Sequence, residues 1–88
     1  MENIMRPAAA TQPEPYRTTD IYYAAYLKVA GVPFLGTDRV DGRVIFQFEA
    51  PDQAAIRDLK NQYFNRTAKV VAMTYADEVR AMKNLTHV

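Results

Sequence analysis

The chain has 88 residues, and its 11 basic and 10 acidic side chains leave a formal net charge of only +1. This length supports one domain at most, and the charge lacks the strong basic excess of a dedicated nucleic-acid binder. Cysteine is absent, which excludes disulfides, thiolate catalysis and cysteine metal ligands, and which is typical of a cytoplasmic protein. Because no apolar run reaches the roughly 18–20 residues of a membrane span, and no signal peptide is evident, we expect a cytoplasmic protein without membrane association.

The first fifteen residues, MENIMRPAAATQPEP, contain three prolines, three consecutive alanines and no hydrophobic period. Such a stretch buries too little apolar surface to fold. We therefore predict a disordered arm over residues 1–15 and a single compact domain over residues 16–88. A domain of this size is marginally stable, so a dimer that buries further surface is a natural expectation.

A first helix is predicted over about residues 20–30. Thr18, Thr19 and Asp20 can each cap its N-terminus. Gly31 stands where a left-handed C-terminal cap belongs, and Pro33 prevents the helix from continuing.

This first helix is apolar on two sides. One side carries Ile21, Ala24, Ala25 and Lys28, and the other carries Tyr22, Tyr23 and Tyr26. Such a helix is either sandwiched between other elements or shares one side with a partner. The tyrosine side therefore predicts a partner-binding or base-stacking surface, the alternative being rings that cover the core with their hydroxyls in water.

The clearest local signal is a β-hairpin over residues 33–49, closed by the two-residue turn Asp41–Gly42, which favours type I′. The predicted register pairs Val40 with Arg43, Arg39 with Val44, Thr37 with Phe46, and Leu35 with Phe48. It places Leu35, Val44, Phe46 and Phe48 on one apolar face. Gly36 indicates a bulge or a close backbone contact.

Two further helices are predicted. The first spans about residues 51–65, with Pro51 and Asp52 in its opening turn. The second spans about residues 74–86, with Thr74 as its cap and Asp77 completing a near capping box. Their predicted core stripes are, respectively, Ala55, Ile56, Leu59 and Tyr63, and then Tyr75, Val79, Met82 and either Leu85 or Thr86.

Short strands are also predicted at residues 16–18 and 68–72, the latter reading AKVVA. Three helices packed on one face of a small antiparallel sheet define an α+β fold.

Three groups of residues carry a resemblance. They are Tyr16-x-Thr18-x-Asp20-Ile21-x-x-Ala24-Ala25-x-Leu27 with Gly31 and Leu35-Gly36; Val44-x-Phe46-x-Phe48; and Tyr63-Phe64-Asn65 with Val70 and Tyr75-Ala76-Asp77-x-Val79-Arg80-x-Met82-Lys83. Together they resemble a family of small bacterial proteins defined only as a domain of unknown function, over about residues 16–87. The motifs are mostly structural. The resemblance implies a compact bacterial domain and brings no activity, cofactor or site residue.

The inventory of reactive side chains argues against an enzyme. Serine and cysteine are both absent, and the single histidine, His87, is the penultimate residue. A Ser/His or Cys/His nucleophilic pair is therefore excluded. Asp38, Asp41 and Gly42 resemble a fragment of a calcium loop, but the spacing is wrong and the hairpin turn explains Asp41–Gly42. We expect no catalytic, metal or cofactor site.

A basic segment with interleaved aromatics spans residues 57–69. Arg57, Lys60, Arg66 and Lys69 are candidate nucleic-acid-binding residues, since cations beside aromatic rings can contact a phosphate backbone. The alternative is a solvated helix face above a core aromatic pair. Arg17, Arg39 and Arg43 would extend such a surface if they lay on the same side.

The sequence therefore predicts a small non-enzymatic binding module that acts through protein contacts or as a homodimer. Its candidate surface is Tyr22, Tyr23 and Tyr26. Weak, salt-dependent nucleic-acid binding through residues 57–69 is the alternative function.

Overall fold

A computed structural model describes residues 14–50 and 52–87 of the chain. Its elements, in chain order, are β1 (Tyr16–Thr18), α1 (Ile21–Val29), β2 (Phe34–Val40), β3 (Arg43–Phe48), α2 (Gln53–Phe64) and α3 (Ala72–Asn84). Three strands in one sheet and three helices are the predicted α+β fold. Nearly all of the predicted N-terminal arm, and Pro51 at the predicted start of the second helix, lie outside the described residues.

The sheet has the order β1-β3-β2, and both pairings are antiparallel. The predicted strand at residues 16–18 is confirmed, because β1 pairs with β3 from Tyr16 opposite Phe48 to Thr18 opposite Phe46. The predicted type I′ turn is also confirmed, since both Asp41 (φ 52°) and Gly42 (φ 81°) are left-handed.

One predicted strand pair is wrong. The hairpin keeps the predicted register from the turn as far as Thr37 opposite Phe46, but beyond it Phe34, not Leu35, lies opposite Phe48. The predicted bulge at Gly36 (φ 130°) causes this shift, because an extra residue on one strand turns its neighbours to the other face. The Phe34 and Phe48 rings consequently pack with centroids 5.2 Å apart, and Leu35 is exposed.

Helix α1 begins and ends as its sequence predicts. Of the three possible caps, Asp20 is the one used, and its carboxylate accepts hydrogen bonds from the amides of Tyr22 (2.9 Å) and Tyr23 (3.0 Å). At the other end Gly31 has φ 92°, and its amide donates to the Lys28 carbonyl at 3.0 Å. The following amide reaches the Leu27 carbonyl at 3.0 Å, which completes a Schellman motif.

The start of α3 differs from its prediction. The helix begins at Ala72, so Thr74 lies inside its first turn, and the capping residue Val71 makes no side-chain cap bond. The predicted strand at residues 68–72 is wrong, since residues 67–71 have no regular secondary structure. Three β-branched residues cannot form a strand there without a neighbouring strand to pair with.

The predicted core stripes of the two later helices are largely confirmed. In α2, Ile56 is buried and Leu59 and Tyr63 pack against the core, whereas Ala55 is exposed. In α3, Met82 is buried with Tyr75 and Val79 against it, and Leu85 is exposed while Thr86 is half-buried.

Helix α1 lies at the centre of the molecule. It supplies five of the eight buried residues of the core cluster, namely Tyr23, Ala24, Ala25, Tyr26 and Leu27, which meet Phe46 and Phe48 of β3 and Met82 of α3. The two apolar sides of α1 are therefore both covered within one chain. Of the two possibilities for such a helix, the structure has the sandwiched one, with Tyr22 as the exposed residue of the tyrosine side.

One charged side chain of α1 is accommodated in this arrangement. The Lys28 ammonium lies 3.3 Å from the Glu78 carboxylate of α3 and 5.3 Å from the centroid of the Phe34 ring. Both charged side chains are about 30% exposed, so this contact closes one end of the core without burying a charge completely.

Candidate functional site

A cluster of tyrosines fills the junction of α1, α2 and β1. Tyr23 is at its centre, and its ring lies 6.2 Å from that of Tyr16 and 5.1 Å from that of Tyr63, centroid to centroid. The Tyr16 and Tyr23 hydroxyl oxygens are 3.1 Å apart and share a hydrogen bond. The Tyr26 and Tyr63 rings are tilted against each other, with centroids 5.3 Å apart. These contacts join α1 to α2 and, through Tyr16 and Tyr23, α1 to the first strand.

Burial raises the pKa of three tyrosines of this cluster. The pKa values of Tyr23 and Tyr26 lie above the usual 10.0, and that of Tyr63 is raised to about 12. Burial likewise raises the pKa of Tyr75 of α3, which interacts with Tyr63. Their hydroxyls therefore stay protonated and neutral in the physiological range, where they can donate hydrogen bonds but cannot serve as bases or nucleophiles.

The three tyrosines predicted to bind a partner do not form one exposed face. Tyr22 is 49% exposed, whereas Tyr23 and Tyr26 are 2% and 4% exposed. Tyr22 projects from the first turn of α1, where Lys83 lies 5.5 Å from its ring centroid and the Tyr75 hydroxyl donates to its carbonyl at 3.1 Å. A helical projection groups the three rings, but it contains no information on how many elements pack around the helix.

The exposed apolar side chains are concentrated elsewhere. Phe64, Val71 and Met73 are 58%, 69% and 76% exposed, and Val70 is exposed beside them. All four fall within ten consecutive residues that join α2 to α3. Tyr22 is linked to this stretch through Tyr75, because Tyr75 lies one helical turn after Val71 and contacts Tyr22. We call Tyr22, Phe64, Val70, Val71 and Met73 the connector patch.

The four predicted nucleic-acid-binding residues do not form one surface: two lie in the middle of α2 and two beyond its C-terminal end. Arg57 and Lys60 line a cleft of about 180 Å³ together with Tyr16 and Ile56, here called the helix cleft. Arg66 and Lys69 do not line it and are exposed beyond the end of the helix.

Arg66 occupies an unusual backbone position. It follows the C-cap of α2 with φ 63°, and its amide donates to the Tyr63 carbonyl at 3.1 Å, while the next amide reaches the Gln62 carbonyl at 2.9 Å. This is the same Schellman motif that Gly31 completes after α1. No glycine marks it in the sequence, so the left-handed residue was not anticipated there.

The remaining arginines lie around Thr19. Arg39 and Arg43 line a cleft of about 390 Å³, here called the hairpin cleft, with Thr19 and Thr86 in its walls. Arg17 lines an adjoining cleft of about 380 Å³ that shares Thr19. Neither includes a residue of the 57–69 segment, so these arginines form a separate surface. Residues 19, 39–43 and 86 are distant in sequence, and only the tertiary structure brings them together.

The described residues contain no group of three or more histidine, aspartate and glutamate side chains arranged to hold a metal ion. Among the same residues, none of the helices combines the length and apolar character that a membrane crossing requires.

The architecture is that of a small α+β domain in which one central helix is enclosed by a three-stranded sheet and two further helices. The sequence model of the family described as Domain of unknown function (DUF5659) matches residues 14–88. The chain belongs to this family, which confirms the resemblance to a family defined only as a domain of unknown function. No curated protein and no solved structure matches the chain.

Proposed function

We propose that this domain is a non-enzymatic interaction module that contacts another protein, or a second copy of itself, through the connector patch. The observation that supports this is the exposure of Phe64, Val71 and Met73 in one short stretch. Grouped exposed apolar side chains are typical of protein–protein contact sites, whereas singly scattered ones are normal on any surface. In line with the absence of cysteine, we expect the protein in the bacterial cytoplasm.

The patch combines anchors with a polar rim. Met73 and Phe64 are long or aromatic side chains of the kind enriched in interface cores. Arg66 and Lys69 lie between them along the chain, and Lys83 lies against the Tyr22 ring. A rim with three cations favours a partner surface with acidic side chains around an apolar centre. Of the three predicted tyrosines, Tyr22 alone belongs to this proposal, because its ring is accessible.

Sedimentation-velocity measurements on the full chain at micromolar to high micromolar concentrations would test self-association. We expect a concentration-dependent dimer in the unmodified protein and a monomer in the double variant Val71→Thr/Met73→Gln. Leu35→Gln is the matched control, since it also replaces an exposed apolar residue but lies on the sheet. A photo-crosslinking side chain at residue 73, with residue 35 as its control, would identify a different protein partner.

A strict monomer at every concentration, together with no crosslinked product specific to residue 73, contradicts the proposed interaction through the connector patch. Equal weakening of the dimer by the Leu35→Gln control would place the interface on the sheet and contradict it as well.

A second candidate function, weak nucleic-acid binding, is supported by the helix cleft. Arg57, Lys60 and Tyr16 together line this cleft. Two cations beside an aromatic side chain suit a single-stranded backbone with one stacked base. Because Arg66 and Lys69 do not line this cleft, we propose only two phosphate contacts there.

Fluorescence anisotropy with labelled single-stranded DNA and RNA over a range of salt concentrations tests this candidate. Two phosphate contacts give a slope of about −1.4 for log K against log salt, from roughly −0.7 per contact on single strands. Arg57→Gln and Lys60→Gln should each reduce this slope, and the matched pair Arg66→Gln and Lys69→Gln should not. Absence of binding at low salt, or binding without salt dependence, contradicts it.

A further inference from the structure

We infer that the hairpin cleft is a binding site for a small amphipathic anion, that is, a carboxylate or phosphate monoester carried on an apolar body. At about 390 Å³ the cleft falls in the range of small-molecule pockets, roughly 300–1,000 Å³. It is formed by the tip of the β2–β3 hairpin, the residues just before and at the start of α1, and Thr86 after α3.

The cationic side of the cleft comes from the hairpin. Arg39 lies opposite Val44 in the hairpin register, on the sheet face that carries the buried Phe46, yet Arg39 itself is exposed. The burial of β3 falls from Phe46 towards the turn, so the tip extends beyond the helices that cover the rest of this face. Arg43, at the first position of β3, also lines the cleft, but at its rim, because its side chain starts on the sheet face opposite to that of Arg39 and Val44.

Among the described residues, the neighbouring carboxylates form no ion pair with these arginines. None of the described residues that line the cleft is acidic, and no salt bridge joins Arg39 or Arg43 to a carboxylate of the described residues. Asp20 accepts hydrogen bonds from the amides at the start of α1, and Asp38 accepts one from the Arg39 backbone amide at 2.8 Å. Asp41, in the hairpin turn, also forms no salt bridge with either arginine.

The other lining residues indicate which further groups a ligand would contact. Ile21 and Val44 are half-buried apolar residues of the lining, above the fully buried Phe46. The Thr86 hydroxyl already donates to the Lys83 carbonyl, at 2.6 Å, so it bounds the site without offering a proton. The Thr19 hydroxyl has no hydrogen bond to the described residues and can donate to an oxyanion.

The Arg39 guanidinium and the Thr19 hydroxyl on one side, with Arg43 at the rim and branched aliphatic side chains on the other side, favour a ligand with two chemically different ends. An oxyanion matches the guanidinium geometry and forms charge-assisted hydrogen bonds with it. An apolar body displaces water from Ile21 and Val44, which inorganic phosphate cannot do.

Titrations followed by amide ¹H–¹⁵N NMR test this inference with four probes on the full chain. Phenyl phosphate and phenylacetate supply the two possible anionic heads, benzylamine has the same ring with a positive charge, and inorganic phosphate has no apolar body. We expect saturable shifts at Thr19, Gly42, Arg43 and Thr86 with either aromatic anion, weaker binding of inorganic phosphate, and none of benzylamine. Whichever of the two aromatic anions binds more tightly identifies the preferred anionic group.

Arg39→Gln should weaken phenyl phosphate binding about tenfold, as loss of one charge-assisted hydrogen bond implies, and Arg43→Gln, at the rim, should weaken it less. Arg57→Gln is the matched control and should bind as the unmodified protein does. Both cleft arginines are exposed, so unchanged thermal unfolding will establish that the variants fold. Non-saturable shifts, equal binding by Arg39→Gln, or equal binding of benzylamine would each overturn the inference. Inorganic phosphate that binds as tightly as phenyl phosphate would overturn the apolar half of it.

Discussion

Arg66 is the position at which one substitution is expected to raise the stability of this domain. Its φ of 63° is left-handed, where a side chain with a Cβ atom costs roughly 1–2 kcal/mol. Arg66→Gly removes that strain but adds flexibility to the unfolded chain, which offsets about 0.4–1 kcal/mol. We therefore expect a net stabilisation of about 0.5–1 kcal/mol, or about 2–8 °C in Tm for a domain of this size.

The equivalent position after α1 provides the reverse experiment. Gly31 has φ 92° and completes the same pair of backbone hydrogen bonds as Arg66. A Cβ atom built on Gly31 meets no atom within 4 Å, so Gly31→Ala introduces strain without a clash. By the same arithmetic it should destabilise the domain by about 0.5–1 kcal/mol.

Urea unfolding followed by circular dichroism at 222 nm measures both changes. Arg66→Ala is the control, since it removes the side chain and keeps the strained backbone, and its free energy of unfolding should stay near that of the unmodified protein. If Arg66→Ala stabilises the domain as much as Arg66→Gly, the side chain rather than the backbone is responsible. No gain from Arg66→Gly would refute the reasoning outright.

Three further outcomes are expected. Asp20→Ala should lower stability by about 1 kcal/mol because two amides lose their cap, while Thr74→Ala, which removes no cap bond, should leave Tm unchanged. Tyr23→Phe should cost about 0.5–1.5 kcal/mol in urea unfolding, since the part-buried Tyr16 hydroxyl loses its partner. Because the pKa of Tyr63 is raised from 10.0 to about 12, its contribution is complete below pH 10 and is lost as the pH rises towards 12, and Tyr63→Phe should flatten this alkaline decline.

Signals close together in the chain were the most reliable guides to this fold. The Asp41–Gly42 turn determined the hairpin and its register near the turn, because turn geometry and side-chain alternation agree there. Gly36 correctly indicated a bulge. Which residue lies opposite Phe48 beyond the bulge depended on whether Phe34 or Leu35 packs better against it. That comparison involves the whole core, so turn chemistry alone could not make it.

Helix ends also differ in whether the local sequence or the tertiary packing determines them. Asp20 and Gly31 were identified because each acts on its own helix through adjacent backbone groups. Thr74 had the chemistry of a cap, but α3 begins two residues earlier, where Val71 is the flanking residue. Packing of Tyr75, Val79 and Met82 against α1 determined where that helix lies, and propensity is too weak to oppose such burial.

The candidate surfaces depended on tertiary structure even more strongly. The prediction grouped Tyr22 with Tyr23 and Tyr26, yet the enclosure of α1 leaves Tyr22 alone exposed. The prediction also grouped four cations by sequence proximity, whereas in the structure Arg57 and Lys60 line the helix cleft and Arg66 and Lys69 lie beyond the end of α2. The hairpin cleft could not be anticipated, since Thr19, Arg39 and Thr86 come from three separate parts of the chain.

The sequence by itself determined the helices, the hairpin and most of the residues that form the core, because hydrophobic period, turn chemistry and capping act over a few neighbouring residues. Only the tertiary structure decided that both sides of α1 are covered, that Tyr22 stays exposed, and which other side chains remain at the surface. Exposure is a property of everything packed around a residue, and in this domain residues of the sheet and of both other helices pack around a single nine-residue helix.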